Sequence, residues 1–210
     1  ASWRTSLAGV LVDLQTGVAR DGFGSTDRLR NLRAVEGSDH NDTLRGSSDP
    51  WRSDFFTASG GSDVIDGRDG RDFLAYGNGP VTILLTGLGT GTAQKSGGGT
   101  DRFFSIEGLH GSSGRDSFTG TTLAGAEAAV FFEGWAGDDI IDARGNPAVL
   151  VSYANSAAGI VVDLATGRAS DGWGGTDTLT GVANLEGSAH ADRLSGAWFG
   201  GGRVLLKGGA

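Results

Sequence analysis

Residues 2–46 and 152–196 align without a gap, and this self-match confines the chain to folds made by stacking one unit on the next. Ser2-Trp3 corresponds to Ser152-Tyr153, and Val10-Leu11-Val12-Asp13-Leu14 to Ile160-Val161-Val162-Asp163-Leu164. Asp21-Gly22-Phe23-Gly24 corresponds to Asp171-Gly172-Trp173-Gly174, Thr26-Asp27 to Thr176-Asp177, and Glu36-Gly37-Ser38 to Glu186-Gly187-Ser188. A further copy lies between them. Ala75-Tyr76 takes the Ser-aromatic place, Val81, Ile83 and Leu85 take the apolar places, and Thr100-Asp101, Gly111-Ser112 and Asp116 follow at the same spacings. The aromatic starts at Trp3, Tyr76 and Tyr153 give repeat lengths of 73 and 77. Residues 1–75, 76–151 and 152–210 are therefore expected to be three copies, the last truncated, of one continuous solenoid. Leu205-Leu206-Lys207-Gly208-Gly209-Ala210 parallels Phe131–Ala136 and stops before a counterpart of Gly137-Asp138-Asp139, while Ala1-Ser2-Trp3 opens in mid-pattern. The chain thus reads as a piece of a longer protein, with further repeats or a partner protein expected at both ends.

A shorter period runs inside each copy. Gly172-Trp173-Gly174-Gly175-Thr176-Asp177-Thr178-Leu179-Thr180 is a glycine-rich loop with Asp in sixth place and an apolar residue in eighth. Like units occupy 22–30, 37–45, 58–66, 67–75, 96–104, 111–119, 134–142 and 187–195. Their sixth-place carboxylates are Asp27, Asp42, Asp63, Asp72, Asp101, Asp116, Asp139, Asp177 and Asp192, and Gly61, Gly70, Gly137 and Gly175 lie in the loops before them. Ile65, Leu74, Phe103, Phe118, Ile141, Leu179 and Leu194 fill eighth places and are predicted to enter a core. Alternation in 10–14 predicts a strand with Val10, Val12 and Leu14 inward and Leu11 and Asp13 outward, repeated at Val81, Ile83, Leu85 and at Ile160, Val162, Leu164. No helical stripe is sustained anywhere, so the fold class is all-β.

Composition agrees. Thirty-nine of 210 residues are glycine, well over twice the usual share of roughly 7%. Such a chain makes many tight turns. Twenty-five Asp and Glu against 17 Lys and Arg leave a net charge of −8, which repels nucleic acid and anionic membranes and attracts cations. With no cysteine, a disulfide framework and a thiolate metal site are both excluded. No apolar run reaches the length of a transmembrane segment.

The phased units resemble the repeats-in-toxin (RTX) family of hemolysin-type calcium-binding repeats, whose nonapeptide is G-G-x-G-x-D-x-U-x. The long module looks like the degenerate form in bacterial adhesins and secreted surface proteins. That resemblance implies a parallel β-roll, or right-handed β-solenoid, of calcium loops and short strands. It also implies calcium as cofactor, held between stacked loops by the sixth-place carboxylates and by carbonyls exposed at the glycines. Calcium accepts six to eight such oxygens at about 2.3–2.6 Å. With 31–36 and 46–57 each forming a half-turn, the loops of Asp27, Asp42 and Asp63 are expected on one side and Asp72 opposite. Asp101, Asp116 and Asp139 then share a side, and Asp177 goes with Asp192. His40 and His190 replace the second loop glycine, and Asn146 and Ala148 interrupt the unit at 143–151, so those loops are expected to hold no ion.

The other features have plainer explanations. A single Asp next to glycine is commonly an Asx-turn cap. His40, His110 and His190 read as loop histidines rather than a zinc site, because His40 and His190 are repeat equivalents far apart along a solenoid. Gly22-Phe23-Gly24-Ser25 is loosely nucleotide-like, but no helix follows to hold a phosphate. No catalytic constellation survives the repeat explanation, so the segment itself is read as non-enzymatic. The resemblance leaves three functions: a calcium-stiffened segment of a secreted or cell-surface adhesin, surface-layer or matrix protein; the carboxy-terminal export and folding appendage of a secreted protease, lipase or epimerase; or an accessory subunit docked on a larger complex. Modules of 73–77 residues favour the first.

Overall fold

A nine-residue unit gives the chain a short extended stretch and then a turn, which leaves room for one inward side chain per strand. The computed structural model describes residues 1–77, 79–125, 129–196 and 205–207; Gly208–Ala210, part of the final parallel noted above, lie outside these. Most strands are three residues long with the middle residue buried, as in Val64–Asp66, Phe73–Ala75 and Ile140–Asp142. Among the described residues there is no helix, and so no helix long and apolar enough to cross a membrane. The protein is an all-β roll of two sheets.

The smaller sheet has eight strands, all parallel, at Ala34–Glu36, Phe55–Thr57, Phe73–Ala75, Gly108–His110, Val130–Glu133, Val149–Ser152, Asn184–Glu186 and Leu205–Lys207. Its register is constant, so Val35, Phe56, Leu74, Leu109, Phe132, Val151 and Leu185 stack directly upon one another. The fourteen-stranded sheet carries the matching columns Val12–Leu44–Ile65–Phe103 and Ile83–Phe118–Ile141–Leu179. These columns form the core, and across it Phe118 and Phe132 stack at 4.5 Å between ring centroids. Every predicted eighth-place residue points into it; all are buried except Leu194, which is half-buried.

The larger sheet owes its additional strands to three antiparallel meanders. Leu11–Asp13, Val18–Arg20 and Thr26–Arg28 form the first, Val81–Gly87, Thr90–Lys95 and Thr100–Phe104 the second, and Val161–Asp163, Arg168–Ser170 and Thr176–Thr180 the third. Each runs backwards along the stack. From Phe73–Ala75 the chain jumps ahead to Val81–Gly87, then doubles back so that Thr100–Phe104 docks parallel on Val64–Asp66. Val81–Gly87 is left to receive Ser117–Thr119.

The alternation predicted for these strands holds at Val10, Val12, Val81, Ile83, Leu85, Ile160, Val162 and Leu164, all buried, whereas Leu14 is half-buried. Asp13 holds to it as well. It lies outside the Val12–Leu44 core column, paired with the exposed Arg45, yet is buried, because the Arg68 guanidinium grips both carboxylate oxygens at 3.1 and 2.7 Å and also donates to the Gly46 carbonyl.

The stacked columns make a sharp prediction. Leu109, fully buried between Leu74 and Phe132, should cost about 2–5 kcal/mol when cut to alanine. Trp51, 95% exposed, should change stability by less than about 0.5 kcal/mol on the same substitution. Urea unfolding in calcium measures both; a Leu109→Ala midpoint equal to that of Trp51→Ala would contradict the stacked core.

Candidate metal centre in the stacked loops

A strand that begins straight after a loop has a first amide that the parallel ladder does not satisfy. Here a carboxylate from the neighbouring rung accepts it. The Asp42 amide donates to Asp63 Oδ1 at 2.9 Å, and the Asp63 amide to Asp101 Oδ1 at 2.9 Å. The next series repeats this, Asp116 to Asp139 at 2.8 Å and Asp139 to Asp177 at 3.0 Å. Each series is headed by the first strand of a meander: Val10 donates to Asp42, Val81 to Asp116 and Ile160 to Asp192, at 2.8–2.9 Å. On the opposite edge of the roll the Asp54 amide donates to Asp72 Oδ1 and the Asp72 amide to Glu107 Oε2, at 2.7 and 2.9 Å.

The expected grouping is therefore corrected in part. The sides are as expected, with Asp27, Asp42 and Asp63 on the fourteen-stranded sheet and Asp72 opposite, but the stacking differs, since Asp101 and not Asp27 continues the Asp42–Asp63 ladder. Because the meander runs backwards, Leu11–Asp13 and not Thr26–Arg28 lies against Thr43–Arg45, and Asp27 is exposed on an edge strand. For the same reason Asp177 continues the Asp116–Asp139 ladder, and Asp192, though on the same sheet, is separated from it by the two other strands of the meander. Asp54, Glu107 and Asp171 were missed by the nine-residue template. Asp54 and Glu107 each stand two places before a buried apolar residue, Phe56 and Leu109, and that spacing alone would have revealed them.

The glycine-rich loops press against each other. Gly61, Gly70 and Gly137 have φ of +81°, +128° and +129°, conformations that side chains other than glycine rarely adopt. A Cβ at Gly175 would strike the Gly137 carbonyl, and one at Gly70 the Arg52 carbonyl. Loop carbonyls are thereby packed next to the carboxylates.

The second oxygen of each carboxylate distinguishes the sites. In Asp42 and Asp116 it accepts the Ser38 and Ser112 amides at 2.6 and 2.5 Å, and the same serine hydroxyls bond Oδ1. In Asp177 it accepts the Tyr153 hydroxyl at 2.7 Å, whereas the buried Tyr76 hydroxyl makes no hydrogen bond. Lys95 Nζ lies 3.1 Å from Asp63 Oδ2, 2.7 Å from Asp101 Oδ1 and 2.7 Å from the Ser59 carbonyl. Asp72 Oδ2, Asp101 Oδ2 and Asp139 Oδ2 are buried without a hydrogen-bond partner.

Burial without a counter-charge disfavours the ionised form. Desolvation first, and then the nearby carboxylates of Asp177, Asp116 and Asp171, push Asp139 up to about 8. Desolvation raises Asp72 to about 7 and Asp177 to about 6, with Asp54 and Glu107 adding to the first and Asp171 and Asp138 to the second. Asp63, Asp101 and Asp116 are also raised by burial. A divalent cation would relieve this strain. Among the described residues no three Asp, Glu or His side chains already form a metal cage, so a site here needs carbonyl oxygens beside one or two carboxylates. That donor set suits calcium. The orphaned Asp139 Oδ2, with Asp171 and Asp177 near it, fits such an ion.

The histidines take no part. His40 and His190 are exposed. His110 lies against the Phe73 and Phe131 rings, at 6.1 and 5.6 Å between centroids, and burial lowers its pKa.

The family model of the RTX calcium-binding nonapeptide repeat matches residues 51–83 and 120–146, in four copies, and these segments contain Asp54, Asp63, Asp72 and Asp139. No curated protein matches the chain.

These carboxylates set a pH dependence. Their folded pKa values lie above the ordinary 3.8. Without metal, the stability they confer is complete below that value and is lost as pH rises through about 6, 7 and 8 at Asp177, Asp72 and Asp139. Chelated protein should therefore melt progressively lower between pH 4 and pH 8. Calcium holds the charged form, so its stabilising shift should be larger at pH 8 than at pH 5. Scanning calorimetry at both pH values tests this; equal shifts would remove these carboxylates from the ligand set.

Proposed function

We propose that this chain, which carries RTX calcium-binding nonapeptide repeats, is a non-catalytic structural segment of a secreted or cell-surface bacterial protein of the adhesin, surface-layer or matrix type. The observation that carries this reading is the set of carboxylate ladders on both edges of the roll, with buried oxygens of Asp72, Asp101 and Asp139 left unpartnered. Aligned buried carboxylates repel one another, and a glycine-rich backbone loses much entropy on ordering. A cation that binds only the folded roll shifts the equilibrium towards it by mass action. Extracellular repeat modules hold calcium at about 10⁻⁴–10⁻³ M, a range that separates the outside of a cell from its interior. Such a segment would stay loose until exported and then stiffen. The eight-stranded sheet, at about 4.8 Å per strand, advances by a few nanometres, which suits a spacer.

The reading extends to neighbours. Thr26–Arg28 is exposed throughout, whereas its counterparts Thr100–Phe104 and Thr176–Thr180 dock on Val64–Asp66 and Ile140–Asp142. An open strand edge of this kind pairs readily with another strand. A further repeat of the same polypeptide, or a partner protein, would complete that rung.

Small-angle scattering and circular dichroism, in calcium and in chelator, test the proposal. Calcium should give a compact, elongated particle rich in β-structure, and chelation should expand it and remove much of the β signal. Identical profiles in the two conditions would sink the calcium-stiffened reading.

A further inference from the structure

The turns between the second and third strands of the three meanders are equivalent. The amides of Asp21, Lys95 and Asp171 donate to the carbonyls of Ser25, Gly99 and Gly175, at 3.2, 3.2 and 3.3 Å. Each turn leads directly to a sixth-place carboxylate, Asp27, Asp101 or Asp177. The first residue of the turn is thus Asp in two copies and Lys in the middle one.

The lysine lies where an ion would be needed. Its ammonium is met by carboxylates from two stacked loops, Asp63 at 3.1 Å and Asp101 at 2.7 Å, and by the Ser59 carbonyl at 2.7 Å. Its side chain is 12% exposed. Two carboxylates and a loop carbonyl converging on one cation are the kind of oxygen set that calcium takes. At the corresponding step, Asp139, Asp171 and Asp177 approach one another, and among the described residues no Lys or Arg pairs with any of them. Each step leaves one carboxylate oxygen without a hydrogen-bond partner, Asp101 Oδ2 and Asp139 Oδ2, but only the Asp101 carboxylate has an ammonium on its other oxygen.

We propose that Lys95 is a tethered cation that replaces calcium between loops 58–63 and 96–101, so that this step of the roll closes without metal while the step between 134–139 and 171–177 is left to the ion. The proposal rests on the reading that these loops take calcium. An ammonium attached through its own backbone is always present at its slot, so no free ion concentration governs it. The Asp63–Asp101 step on this edge of the roll then holds a metal-independent seed, and calcium dependence falls on the Asp139 step beyond it and on Asp72 at the opposite edge.

Hydrogen exchange in chelator and in calcium tests this on the whole chain. In the parent protein, protection of 64–66 and 100–104 should change less than about twofold on chelation, while 140–142 and 176–180 lose at least about tenfold. Lys95→Asp, which copies the residue found in the other two turns, should make 64–66 chelator-sensitive, and calcium should restore it with one additional ion bound per chain by equilibrium dialysis. Lys95→Met keeps the length without the charge and should likewise lose protection in chelator. The inference is overturned if Lys95→Met stays protected in chelator, if Lys95→Asp gains no ion, or if parent 64–66 is as chelator-sensitive as 140–142. A parent chain that ignores calcium throughout, with Lys95→Asp gaining an ion, would defeat the proposed function and leave the Lys95 assignment standing.

Discussion

The structure depends on one hydrogen bond repeated from rung to rung, the amide of a sixth-place aspartate donating to the carboxylate of the aspartate above it. Three-residue strands leave that amide at a loop–strand junction, out of reach of the ladder and shut away from water. An unpaired buried amide would cost about 1–3 kcal/mol at every rung. A side-chain acceptor of one length, in constant register, removes the cost. Asparagine could accept the same bond without charge. Aspartate adds a negative charge on every rung, and the remaining chemistry of the protein concerns what neutralises it.

Close stacking of the loops follows from this bond, because an amide–carboxylate distance of 2.8–3.0 Å from one rung to the next holds the loops so near that side chains have no space where they cross. A Cβ at Gly99 would collide with the Gly61 carbonyl, as one at Gly175 would with Gly137. The glycines are therefore steric requirements of the ladder, and the carbonyls they uncover become available oxygen donors. The meanders add a second variable. The second and third place a turn residue, Lys95 or Asp171, beside the ladder without altering the register of the core. That position can change charge while Leu109, Phe118 and their neighbours stay in place.

The sequence made the eighth-place core legible in full, since a period of nine with one apolar residue per strand allows only one inward position. Asp42, Asp63, Asp72, Asp101, Asp116, Asp139 and Asp177 were legible for the same reason, and all are buried on the ladders. The order of the rungs was not. Parallel and antiparallel strands share the same two-residue alternation, so nothing in Val81–Gly87 or Thr100–Phe104 announces that the chain doubles back, and Asp27 was consequently stacked on the wrong neighbour. Asp54 was hidden by the irregular loop around Pro50 and Trp51, and Glu107 by its longer side chain. The burial of Asp13 was not legible because alternation takes no account of a guanidinium arriving from Arg68, fifty-five residues away. Lys95 precedes its loop and so falls outside any template that begins at the first glycine.

Two solutions to the same buried charge have different physical consequences. A divalent ion neutralises more charge and draws in loop carbonyls, but it arrives only where its concentration allows. A lysine neutralises less, loses side-chain entropy when it is fixed, and is present in every compartment. If every slot held a lysine, the roll would close wherever the chain was made and calcium could not decide where it folds. If every slot needed an ion, no rung would exist for the first ion to bind against, since each site is made of two loops already in contact. One lysine-filled step flanked by ion-dependent ones avoids both outcomes. It would supply a formed rung at Asp63 and Asp101 from which stacking can proceed, and would leave the steps beyond to calcium. On this proposal the sign of one turn residue separates the part of the solenoid that closes unaided from the parts that need an ion.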